Sequence, residues 1–77
     1  GEIEVSLAKL FADLLQLPNV SATQDFFTLG GHSLLAMRLA AQVRKQLDYP
    51  LTVGHVMVNA TVEKLAQLIQ QNPEQQN

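Results

Sequence analysis

Apolar residues in this chain recur every three or four positions, and that spacing restricts most of the backbone to helices. Ile3, Leu7, Leu10, Phe11 and Leu14 mark a first helix from about Glu2 to Gln16. Glu2 and Glu4 suit the positive end of its dipole, and Pro18 stops it. Leu35, Leu39, Val43 and Leu47, with Ala36 and Ala40, mark a second helix from about Ser33 to Leu47, which Tyr49-Pro50 ends. Thr61 is placed to cap a last helix reaching about Gln71, with Val62, Leu65, Ala66 and Ile69 on one face. Between these, Val53 to Val58 is a shorter and weaker helical segment. Gly54 lowers its propensity, and Val53, Val56 and Val58 suit a strand equally. There is no internal repeat and no other sheet signal. The expected fold is all-α: a four-helix bundle of three main helices plus a short third, with a long loop between the first two.

That loop, 17–32, is longer than most connections in compact domains, so it is either packed by its own side chains or functional. Ser21 and Gln24 have capping-box spacing and predict a short turn. Asp25-Phe26-Phe27 brings in two aromatics, of which at least one is expected to plug the core. Gly30-Gly31 marks a break where the backbone can take positive φ or approach another group closely.

Composition removes several function classes. A chain of 77 residues supports one domain, 1–77, with 72–77 a polar tail or linker. A chain of this size buries roughly 60% of its unfolded surface, which leaves little structure for a deep substrate pocket. A net charge of −2 with no charge block argues against nucleic acid. The absence of cysteine removes a disulfide framework, a thiolate zinc site and a cysteine nucleophile, and fits a reducing cytoplasm. No apolar run approaches the roughly 20 residues that span a bilayer, and the acidic start does not read as a signal peptide.

The second helix has two faces. Leu35, Leu39, Val43 and Leu47 form the core stripe, whereas Leu34, Met37 and Ala41 fall on the far side among Arg38, Arg44 and Lys45. No acidic residue occurs from Ser33 to Leu47. Leu34 and Met37 either pack under the long loop or form a small docking face with a basic rim.

Ser33 belongs at the N-cap or first turn of this helix. As a cap it lacks the Glu or Gln three residues on, because Ala36 stands there. As a hydrolase nucleophile it has Gly31 two residues before it but bulky Leu35 two residues after, and no arrangement of base and orienting acid is visible. His32, His55 and Asp25 lack recognisable metal-ligand spacing. A third reading needs no internal catalysis. Free N–H groups and positive potential at a helix start suit a phosphate, and the glycines let another molecule come close. A separate enzyme would then attach a phosphodiester-linked group to the hydroxyl.

The stretch Asp25-Phe26-Phe27-Thr28-Leu29-Gly30-Gly31-His32-Ser33-Leu34-Leu35-Ala36 closely resembles the thiolation motif of peptidyl and aryl carrier domains of non-ribosomal peptide synthetases, D-D/N-F-F-x-L-G-G-H/D-S-L. The resemblance extends to helix order and length and so spans nearly the whole chain. It implies a four-helix bundle whose serine, Ser33 here, receives 4′-phosphopantetheine from coenzyme A through a phosphopantetheinyl transferase, with Gly31 and His32 beside it. It implies a non-catalytic carrier that holds an aminoacyl, aryl or peptidyl group as a thioester. Partners would be adenylation, condensation or cyclization, and thioesterase domains, met through Leu34, Met37, Arg38 and Phe27. A monomer is expected for the isolated domain.

Two departures from the pattern stand out. Gln24 replaces the first acidic position, and Val56-Met57-Val58-Asn59-Ala60-Thr61 lacks the aromatic and proline of the family's L-F-x-x-P-T-like stretch, which bears on the shape of the third helix. The acyl carriers of fatty-acid or polyketide pathways are the nearer alternative. They typically show D-S-L and a strongly acidic second helix, where this chain has His32 and a basic helix. A helical docking module with Ser33 as a mere cap is the remaining alternative.

Overall fold

The computed structural model describes residues 1–71, so the expected polar tail at 72–77 lies outside the described residues. Four helices follow one another: α1 (Glu2–Leu15), α2 (Ser33–Gln46), α3 (Val53–Val58) and α4 (Val62–Gln71). No strand occurs among the described residues. α1 packs against both α2 and α4, and α3 lies against α2.

The helix ends sit within a residue of expectation, for local reasons. α1 stops at Leu15 because Gln16 turns left-handed, at φ 58°. The N–H groups of Gln16 and Leu17 fold back onto the carbonyls of Asp13 and Ala12, at 3.4 and 2.9 Å, and close the helix before Pro18 is reached. α2 ends at Gln46, with Leu47 as its C-cap. α4 begins at Val62, and Thr61 stays outside it, its Oγ1 accepting the Lys64 N–H at 3.1 Å.

The segment Val53–Val58, equally suited to a strand on composition, is a helix. Thr52 Oγ1 accepts the His55 N–H at 3.1 Å, and His55 Nδ1 accepts the Thr52 N–H at 3.0 Å, so two end groups satisfy each other. Val56 is buried while Val58 is 77% exposed. Residues two apart share a face in a strand and diverge in a helix, so this difference follows from the helical turn. Arg44 Nη1 donates to the Leu51 carbonyl at 2.7 Å and ties the end of α2 to the approach to α3.

The long loop is packed by its own side chains. Phe26 is fully buried, edge-on to Phe11 with ring centroids 5.0 Å apart. Its N–H donates to the Ala60 carbonyl at 2.7 Å, and the Glu63 N–H donates to the Ala22 carbonyl at 3.0 Å. These bonds stitch the loop to the α3–α4 junction. The Ser21–Gln24 turn forms, with Gln24 Oε1 accepting the Ser21 N–H at 2.8 Å. Phe26→Ala should therefore cost about 3–5 kcal/mol in a denaturant titration, while Val58→Ala should stay within about 0.5 kcal/mol. Similar losses from both would contradict this assignment of the core.

Candidate functional site

The end of the loop is a compact turn. Asp25 Oδ2 accepts the N–H groups of Phe27 and Thr28, at 2.8 and 3.1 Å, and Thr28 Oγ1 donates back to the Asp25 carbonyl at 3.0 Å. The N–H groups of Leu29, Gly30 and Gly31 then donate to the carbonyls of Asp25, Phe27 and Phe26, at 3.1, 3.2 and 2.9 Å. Gly30 has φ +112°, a conformation that side chains resist. Gly31 lies directly on Phe26: a Cβ there would stand 2.7 Å from the Phe26 carbonyl oxygen and closer still to its ring. Both glycines are thus required, one for torsion and one for space.

This turn delivers the chain to α2. His32 is the N-cap, in extended conformation and with no capping bond from its side chain, and Ser33 is the first helical residue. The first helical bond runs from the Ala36 N–H to the His32 carbonyl, at 2.8 Å. The N–H groups of Ser33, Leu34 and Leu35 precede it and point out of the helix start. The first turn of α2 carries no acidic residue, while Arg44 and Lys45 occupy the last turn. The positive end of the helix dipole is therefore left uncompensated beside an exposed hydroxyl.

The capping reading of Ser33 does not hold, because His32 occupies the cap position. Among the described residues no side chain hydrogen-bonds to Ser33, so no base stands ready to activate it. Asp25 is occupied with the turn, and His55 with the start of α3. The arrangement can present a hydroxyl and stabilise an attached phosphate.

The far face of α2 is open. Leu34 is 51% and Met37 55% exposed, so neither packs under the loop, and Arg38 beside them is exposed as well. Phe27 is half-buried, edge-on to Phe26 with centroids 5.4 Å apart, and offers only part of its surface. The sequence leaves open which side of the third segment is exposed. Met57 and Val58 on α3, which packs against α2, are exposed apolar side chains. Their signal was the helical phase of Val56, legible only once a strand is excluded. A groove of about 310 Å³ between α1 and the start of the loop, lined by Lys9, Asp13, Leu17 and Pro18 among others, shares no residue with the Ser33 turn.

Comparison with known proteins agrees with this geometry. The sequence model of the family described as "Phosphopantetheine attachment site" matches residues 5–69. Vanchrobactin synthetase VabF of Vibrio anguillarum is 57% identical over 67 residues, covering 87% of this chain and 2% of that protein. Enterobactin synthase component F of Shigella flexneri is 53% identical over 66 residues, covering 86% of this chain and 5% of that protein. The chain thus spans a small fraction of the relatives it matches. Among solved structures, the phosphopantetheine transferase Sfp in complex with coenzyme A and a peptidyl carrier protein contains a chain that superposes with a TM-score of 0.85 at 30% identity, covering 90% of each chain.

The geometry sets two stability expectations. Ser33→Ala should leave the thermal midpoint essentially unchanged, within about 0.5 kcal/mol, because no bond is lost. Gly31→Ala should cost about 1–3 kcal/mol, since Phe26 must move. A large loss from Ser33→Ala would restore the capping reading.

Proposed function

Since the chain belongs to the phosphopantetheine attachment family, whose members carry 4′-phosphopantetheine covalently, we propose that Ser33 is the attachment point on this domain. The observation that carries the proposal is an exposed hydroxyl, bonded to no described side chain, at the uncompensated start of α2, behind a turn that keeps side chains away. Ser33 Oγ would supply the attacking oxygen and form the new bond to the phosphorus that bears the pantetheine, while the pyrophosphate bond of coenzyme A would break and its adenosine 3′,5′-bisphosphate half would leave. The proton leaves to a base of the transferase, because no described side chain is bonded to Ser33 to take it. The N–H groups at residues 33–35 and the α2 dipole then hold the negative charge of the phosphodiester. When bound, the arm supplies a terminal thiol that holds an acyl group as a reactive thioester.

The domain is thereby a non-catalytic carrier, 1–77, with 72–77 a tail or linker. It works in the cytoplasm and is monomeric in isolation. It receives aminoacyl, aryl or peptidyl groups from an adenylation domain and presents them to condensation or cyclization and thioesterase domains. The likeness over the carrier region to two synthetases supports that setting. A fatty-acid or polyketide type carrier is not favoured, because α2 has no acidic residue. Leu34, Met37 and Arg38 form the docking face, with Met57 and Val58 of α3 extending it and the exposed part of Phe27 at its edge. Gly31 and His32 give the transferase access to Ser33.

Incubation with coenzyme A, magnesium and a broad-specificity transferase, followed by intact mass measurement, tests the attachment. One phosphopantetheine should add to the wild type and none to Ser33→Ala; equal addition to both would overturn the assignment. Met37→Ala should keep the fold, within about 0.5 kcal/mol, yet lower partner turnover severalfold. A stability loss of about 2–5 kcal/mol would instead place Met37 in the core.

A further inference from the structure

α3 has six residues, about one and a half turns, so its end groups decide whether it persists. His55 is the hub of those end groups. Its N–H donates to Thr52 Oγ1 at 3.1 Å, and its carbonyl accepts the Asn59 N–H at 2.9 Å and Asn59 Nδ2 at 3.1 Å. Its ring Nδ1 accepts the Thr52 N–H at 3.0 Å. Capping boxes commonly place Glu or Gln at this third position, and both accept through oxygen. A histidine can accept only while Nδ1 is bare; the imidazolium carries hydrogen on both nitrogens and can only donate.

The surroundings add to this constraint. The charged side chains on α2, the helix packed against α3, are Arg38, Arg44 and Lys45, all cationic. Arg44 already donates to the Leu51 carbonyl, one residue before Thr52. The preceding connection carries Asp48, which is exposed, and α3 itself carries no other charge. A positive ring would also sit at the positive end of the α3 dipole.

We propose that α3 is fastened by a proton-sensitive clasp: the neutral His55 ring holds the start of the helix that carries Met57 and Val58, and protonation of that ring releases it. The sign follows from the bond. The clasp needs a bare Nδ1 to accept the Thr52 N–H, so it is present while the ring is neutral and absent once both ring nitrogens carry hydrogen. The consequence for partner docking rests on the function proposed above, whereas the clasp is read without any partner. Either can therefore fail without the other.

Proton–nitrogen NMR of the chain between about pH 7.5 and 5 tests it. The Thr52 amide should titrate together with the His55 ring. Amide exchange at residues 55–58, taken relative to His55→Gln at each pH, should rise roughly fivefold on acidification. His55→Gln keeps an accepting oxygen and should hold Thr52 at every pH, while His32→Gln should leave the titration in place. A Thr52 amide that ignores the His55 ring, or a His55→Gln variant that titrates like the wild type, would overturn the clasp. Core amides at Leu39 and Leu65 should keep their protection throughout; their simultaneous loss would mean global unfolding and would equally overturn it.

Discussion

The seating of Phe26 is the constraint from which the rest of the molecule follows. Its ring stands edge-on to Phe11 of α1, its backbone N–H is bonded to Ala60 at the α3–α4 junction, and Gly31 lies against its ring and carbonyl. One residue of a long loop thus touches the first helix, the approach to the last, and the turn that opens α2. A loop that would cost conformational entropy if left loose is instead part of the core. Where Phe26 sits determines where Gly31 sits, and Gly31 leads directly through His32 to Ser33.

The chemistry of the site is a consequence of what that packing leaves out. Small residues and an extended cap bring Ser33 to the surface with no described side chain bonded to it. A hydrolase would need a base and an oriented acid there; a carrier is better served by their absence, because an activated neighbour would also threaten a thioester. The helix start supplies the one thing an attached phosphate requires, an array of free N–H groups in positive potential. The open face of α2 and the exposed Met57 and Val58 of α3 stand outside the core.

Much of this was legible in the sequence, for identifiable reasons. Helical periodicity is a local property, and it placed α1, α2 and α4 to within a residue, with the exact ends decided by events such as the left-handed turn of Gln16. The two faces of α2 were visible as well, but whether Leu34 and Met37 lay under the loop depended on where the loop went, and Phe26 decides that. The motif from Asp25 to Ser33 marked the candidate site but not the division of labour between its glycines, Gly30 for torsion and Gly31 for contact with Phe26. The helix at Val53–Val58 was ambiguous because three valines outweigh a hidden capping box between Thr52 and His55. The exposure of Met57 and Val58 follows from that helix and is not legible without it.

The central claim is that a rigid turn, set by Phe26, presents Ser33 in advance, so that the arm is added to a helix start that is already formed. Comparing the amide spectra of the chain before and after loading with phosphopantetheine tests this most directly. Shifts confined to about residues 30–38, with Phe11, Phe26 and the amides of α4 unmoved, are the predicted result. Widespread shifts through Phe26 and the α3–α4 junction, or shifts centred on a hydroxyl other than Ser33, would contradict it.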